Sequence, residues 1–244
     1  MVDPAMITPS IFGKLRAEIA RQDKPANRLN YQRFFKEKLE DPYSLKTSIL
    51  RKISNECYKD IKPLSKTEIL KICGRLLQAG EKYFRFFAFA WAEKIKAKYE
   101  EKDLELFESW LNKYVDSWSS CDHLCGGPVG DLLVRFPELS SRTLKWAASN
   151  SRWRKRAAAV SLIPPVRNGL LIDRVFQIAD LLLTDADDLV QKGYGWMLKE
   201  AYERFPNEVF DYVMKNKQAM PRTALRYAIE KMPQAERRQA MSKE

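Results

Sequence analysis

The chain has 244 residues, 45% of them apolar, enough to bury one continuous core of globular or stacked-repeat type. Charged residues make up 31% against only 9 glycines, which points to helix rather than strand, and the formal charge of +11 makes polyanions the natural partners, nucleic acid before anionic membrane. No stretch approaches the roughly 20 uncharged apolar residues of a membrane span, and the N-terminus lacks a secretory signal, so a cytoplasmic protein without membrane association is expected.

Apolar residues recur at helical spacing along most of the chain, interrupted by short Pro, Gly, Asn or Asp punctuation. Ile69, Leu70, Ile72, Cys73, Leu76 and Leu77 form one stripe, opened by the capping sequence Ser65-Lys66-Thr67-Glu68 and closed by Gly80. The next helix is expected over Glu81–Tyr99, with Phe84, Phe87, Ala88, Trp91 and Ile95 on its buried side. Further helices follow over Leu104–Tyr114, Ser117–Leu124, Val129–Phe136, Ser141–Ala148, Arg152–Leu162 and Leu171–Leu183, and three more begin after Asp187, Asn207 and Pro221. No Val/Ile/Thr-rich alternating segment intervenes. The expectation is an all-α chain of stacked antiparallel helix pairs forming a curved HEAT-like repeat solenoid, one domain over residues 1–244. The repeat lengths are irregular, which leaves a compact non-repeat bundle open. A solenoid, unlike a bundle, has a long concave face that can follow a duplex.

Cys57, Cys73, Cys121 and Cys125 lack the density of a disulfide scaffold and are read as free thiols. Cys121, His123 and Cys125 invite a zinc reading, but on a helix His123 points away from the i, i+4 cysteine pair, and no second cluster supplies ligands. Neither metal nor cofactor is expected.

Positive charge is concentrated in one place. No Asp or Glu occurs from residue 139 to 172, yet Arg142, Lys145, Arg152, Arg154, Lys155, Arg156 and Arg167 do, interleaved with Trp146 and Trp153. Such a block resembles a phosphate-contacting surface more than a solvated helix face of mixed sign. Arg152, Arg154 and Lys155, with Lys192 further along, are the expected nucleic-acid contacts. Arg152 and Arg156 share one side of a helix, and Trp153 and Ala157 another, so Trp153 suits an anchoring role and Arg156 a site.

A single histidine and the lack of HExxH, Walker or Rossmann patterns leave carboxylate-centred chemistry as the remaining option. Trp118 and Asp122 are its best candidates. Four residues apart on a helix, they project from one face toward a ligand, although the same spacing suits a packing Trp beside a solvated Asp.

Several phrases together are similar to the AlkD family of DNA alkylation-repair glycosylases, over residues 110 to 231. Val115-Asp116-Ser117-Trp118-Ser119-Ser120-Cys121-Asp122 resembles the family's Trp- and Asp-bearing helix, continued by Gly130-Asp131-Leu132 and Phe136-Pro137-Glu138-Leu139. Trp146-Ala147-Ala148-Ser149-Asn150 leads into Trp153-Arg154-Lys155-Arg156-Ala157-Ala158, where Arg156 takes the position of the family's site arginine. Gln191 to Glu200 resembles the helix with the second site tryptophan, a position taken by Trp196. Glu40-Asp41-Pro42-Tyr43-Ser44 does not reproduce the glycine-containing loop common in the family, and N-terminal DNA contacts are not carried over.

The resemblance implies HEAT-like repeats and hydrolysis of the N-glycosidic bond of cationic alkylated purines, of 3-methyladenine or 7-methylguanine type, in duplex DNA. Asp122 would stabilise the sugar cation and a water, Trp118 and Trp196 would frame the sugar, and Arg156 would hold an adjacent phosphate. It further implies recognition without a deep base pocket. A non-catalytic helical-repeat binder of damaged or branched DNA is the main alternative, and a protein-interaction scaffold the second. A monomer is the default expectation.

Overall fold

The computed structural model describes residues 4–22 and 45–242; the segment 40–44 discussed above lies outside them. Every regular element among the described residues is helical. The chain forms two compact units, Met1–Ile95 and Lys96–Glu244.

The first unit contains α1 (Pro4–Gln22), α2 (Thr47–Ile61), α3 (Lys66–Ala79) and α4 (Phe84–Glu93). Helix α3 starts at the expected capping box, in which the Ser65 hydroxyl accepts from the Glu68 amide while the Glu68 carboxylate accepts from the Ser65 amide at 2.8 Å. It ends where Gly80 turns left-handed at φ 67°, a conformation a side chain would resist. The long helix expected over Glu81–Tyr99 is shorter than its pattern. It stops at Glu93, and a single 3-10 turn follows over Lys96–Lys98. Tyr99 belongs to the second unit, where its ring packs on Phe107 at 5.2 Å, so tertiary packing overrides a periodicity that alone would have continued the helix.

The second unit contains α5 (Asp103–Tyr114), α6 (Trp118–Leu124), α7 (Gly130–Arg135), α8 (Ser141–Ala147), α9 (Arg152–Val160), α10 (Ile163–Arg167), α11 (Ile172–Leu182), α12 (Asp188–Tyr202), α13 (Pro206–Asn216), α14 (Arg222–Ala228) and α15 (Gln234–Met241). The expected helix Arg152–Leu162 stops two residues early, because α10 starts with Pro164 and Pro165 in its first turn, where the missing amide hydrogens cost nothing. Helix α13 starts at Pro206 for the same reason, one residue ahead of Asn207.

The packing is that of antiparallel helix pairs stacked in chain order, as expected of a HEAT-like fold. Helix α6 packs on α9, α9 on α12 and α12 on α14, while α8 backs α9, and α11 and α13 back α12. Side-chain contacts between successive pairs recur at a chain separation of one repeat, which ranges from 30 residues for Lys155 and Asp185 to 38 for Trp146 and Glu108 and includes 34 for Arg156 and Asp122, 35 for Arg152 and Asp187, 33 for Arg167 and Glu200, and 34 for Tyr202 and Glu236. The repeat is thus a regularity of contact, written in pairs of unlike residues.

Helix α12 is gripped from both sides through two glycines. A Cβ on Gly193 would lie 3.2 Å from the Arg156 side chain, and one on Gly195 would lie 2.7 Å from both the Ala224 carbonyl and Tyr227 Cβ. Gly195→Ala therefore wedges α14 away from α12, and its strain exceeds the roughly 1 kcal/mol of helix propensity gained. The expected net loss is about 1–2 kcal/mol, read as a lower urea midpoint; a raised midpoint would show that α14 shifts freely.

Candidate active site

The row α6, α9, α12 carries the four residues singled out from the sequence. Ser117 caps α6, its hydroxyl accepting from the Ser120 amide. This cap sets Trp118 at the first helical position and Asp122 one turn later. Trp118 is 37% exposed, one of the large apolar side chains the core does not cover. Beyond Leu124 the helical path widens into a π turn over Cys125–Val129, with Gly127 out of helical geometry, before α7 resumes. Asp122 therefore sits just before an irregular turn, close to the carbonyl end of a short helix, where the dipole disfavours a carboxylate.

Arg156 answers that charge. Its Nε and Nη2 donate to the two oxygens of Asp122, both at 2.8 Å, and its Nη1 donates to the Leu189 carbonyl of α12 at 2.5 Å. One guanidinium thus ties three successive members of the row together. The Arg156 side chain is 7% exposed and that of Asp122 16%. Burial works against the arginine's charge, but the hydrogen bonds and charge of Asp122 outweigh it, and its pKa lies above the ordinary value. The contact that lets Arg156 reach so far is the bare Cα of Gly193. Gly193, three residues before Trp196, thereby has a structural role.

Trp196 lies on α12, three residues beyond Gly193, and is half-buried. Its indole N–H donates to Glu200 at 3.1 Å. Glu200 is buried and takes two further bonds, from Arg167 and Lys231, both at 2.9 Å. No sequence motif singled out Glu200; its 33-residue offset from Arg167 was the available signal. Burial raises its pKa, yet the hydrogen bonds and charges of Arg167 and Lys231 win, and the net shift is below the ordinary 4.5. A depressed carboxylate adds stability that is present above its unfolded pKa and lost as pH falls through the folded one. Wild-type urea midpoints should therefore fall more steeply below about pH 4.5 than those of Glu200→Gln; parallel profiles would deny Glu200 that contribution.

The basic block looks different in space than in sequence. Arg152 pairs with Asp187 at 2.6 Å, Lys155 with Asp185 at 2.7 Å and Lys192 with Asp188 at 2.7 Å, while Arg154 stands 3.8 Å from Glu108. Arg142 also pairs with Glu108, and Arg167 with Glu200. A stretch without acids borrows them from the preceding and following repeats. Trp146, interleaved in that block, is a core residue, fully buried, with its N–H on Glu108 at 2.8 Å. Trp153 is only partly buried, and its carbonyl accepts from the Cys121 thiol at 3.6 Å.

The four cysteines are free and buried. Burial, with Cys121 and Asp122 adding to it, pushes the Cys125 thiol well above its ordinary value, so it stays protonated beside the site. Among the described residues no group of three or more His, Cys, Asp or Glu side chains is placed to hold a metal ion. No described helix is long and apolar enough to cross a membrane.

The arrangement is a carboxylate fixed by a bidentate arginine and still partly open, on the same helix face as an exposed indole. Such a group can stabilise a developing cation and orient a water, since each oxygen keeps a lone pair beyond its bond to Arg156. No curated protein matches the chain. Its fold is that of a solved structure from Enterococcus faecalis, described as a predicted DNA alkylation repair enzyme, with a TM-score of 0.74 at 13% identity over 87% of this chain and 97% of that one. The family of DNA alkylation repair enzymes matches residues 15–232, and the chain belongs to that family.

Proposed function

We propose that the protein is a DNA glycosylase that hydrolyses the N-glycosidic bond of cationic alkylated purines, of the 3-methyladenine and 7-methylguanine type, in duplex DNA. The observation that carries this reading is the Asp122 carboxylate, held by both nitrogens of one side of Arg156 and 16% exposed. An alkylated purine already bears positive charge. When its C1′–N bond breaks, the electron pair leaves with the base, which becomes neutral, and no enzyme acid has to protonate it. What remains is the deoxyribose cation, which a fixed carboxylate stabilises, and a water, which adds to C1′ and gives its proton to Asp122 or solvent. Trp118 and Trp196 supply aromatic faces that attract the same positive charge. Arg156 keeps Asp122 aimed. Its Nε, Nη1 and Nη2 each give one N–H to Asp122 or the Leu189 carbonyl, so the part proposed for it is to hold the carboxylate.

The decisive experiment incubates duplex DNA carrying 7-methylguanine or 3-methyladenine with the protein and identifies the free base by chromatography. Release of the methylated base is expected; tight binding with no released base would support a non-catalytic binder instead.

Arg152, Arg154, Lys155 and Lys192 are the proposed phosphate contacts, and each has an acidic neighbour to leave. Asp185→Asn with Asp187→Asn frees two of these cations while keeping side-chain oxygens that accept from the backbone amides of Asp187, Leu189 and Val190. This double variant is expected to bind duplex DNA about tenfold more tightly at low salt and to steepen log Kd against log salt by about one to two. An unchanged slope would place the DNA elsewhere.

A further inference from the structure

We infer that Glu200 is a positioning residue for Trp196, which fixes the indole and enriches its ring so that it attracts a cationic nucleotide; this rests on the reading of Trp196 as a site residue. The two residues are four apart on α12, and the indole Nε1–H donates to Glu200 Oε1 at 3.1 Å. The other oxygen, Oε2, receives Arg167 Nε from α10 and Lys231 Nζ from the turn after α14, each at 2.9 Å. With its side chain 5% exposed, the carboxylate is located from three sides. Rotation of the indole would break its bond to a group that cannot follow.

A purely structural ion pair does not account for this geometry. Lys231 also reaches Glu203 at 2.7 Å, and the side chain of Arg167 is 49% exposed and open to water, so neither cation depends on Glu200 to be satisfied. The indole bond is the one that gives Oε1 its use. An N–H that donates to an ionised carboxylate is polarised, and the displaced electron density strengthens the negative face of the ring. That face is what draws a cation. Gln at this position accepts the same bond without the charge, and separates holding from enriching.

The test compares binding to a duplex with one 7-methylguanine on a 2′-fluorinated sugar, which resists cleavage, with binding to the same duplex carrying guanine. Wild type, E200Q, W196F and E200Q/W196F are measured. E200Q is expected to lower the preference for the cationic duplex about three- to fivefold without changing affinity for the neutral one, and to have no further effect in W196F. An equal loss in both backgrounds, or no loss in the wild-type background, overturns the enriching role. The indole ¹H–¹⁵N resonance of Trp196, assigned by its absence in W196F, is expected to move upfield in E200Q, which keeps the bond without the charge, and to move further and exchange faster in Glu200→Ala, which removes the acceptor; an unmoved resonance in E200Q overturns the enriching role, and one unmoved in Glu200→Ala overturns the positioning role. Because this readout needs no DNA, it stands even if the wild type releases no base, and the two failures are told apart. If E200Q does not fold, Glu200→Asp, which withdraws the charge by one methylene, is read in the same assays with the same expected losses.

Discussion

Asp122→Asn is expected to release methylated purine at least about a hundredfold more slowly than the wild type while binding the same duplex with similar affinity. A hundredfold corresponds to about 2.7 kcal/mol of lost transition-state stabilisation, the lower end of what one aimed electrostatic group contributes in a partly dry site. Asn matches Asp in size, but its amide opposes one of the two Arg156 donors that the carboxylate now accepts at 2.8 Å. The guanidinium, 7% exposed, then lacks a counter-charge. Some loss of stability accompanies the loss of rate, so the comparison is made at a temperature where circular dichroism shows both proteins folded. Undiminished base release would remove Asp122 from the reaction.

Arg156→Ala is expected to cost about 3–5 kcal/mol of folding stability, because it leaves a largely buried carboxylate without its partner. Base release should fall with it, since Asp122 is no longer aimed. The salt dependence of DNA binding should stay as it is. The resemblance in the sequence implies that Arg156 holds a phosphate, which would flatten that dependence by about one. In the folded chain its Nε, Nη1 and Nη2 each donate once, to Asp122 or the Leu189 carbonyl, and the side chain is only 7% exposed, which leaves a phosphate little access to the remaining N–H groups. Urea unfolding and filter binding over a salt series separate the two roles: a flattened slope with little loss of stability would mean that the guanidinium leaves Asp122 for DNA.

Much of the fold is legible because its signals are local. Ser65 and Glu68 cap α3 within one turn of chain, Gly80 ends it, and Trp118 and Asp122 share a helix because they stand four apart. The helix expected over Glu81–Tyr99 fails because Tyr99 packs on Phe107, a contact that a continuous helix cannot make, since two such residues would stand more than two turns apart on it. The site divides along the same line. Its residues are readable one by one, but the bond between Arg156 and Asp122 spans 34 positions, and the acids that meet Arg152 and Lys155 lie 35 and 30 positions away. Blocks of charge along a stacked chain are therefore poor guides to charge in space, because a residue's neighbours sit one repeat distant. Opposite charges at an offset near 34 would have exposed both the clamp on Asp122 and the Glu200 node.

That recurring offset also bears on how the second unit comes apart. When α6, α9, α12 and α14 each touch the next member of the row, cohesion passes between nearest neighbours, as in a one-dimensional chain of coupled links. Opening spreads from an end inward. Amide protons of α15 then exchange through local fraying, while those of α9, flanked on both sides and pinned by Arg156, wait for a much larger fluctuation. Asp122, on the first helix of the row, is pinned by Arg156 to this interior helix, so its aim is expected to survive fraying of the C-terminal helices.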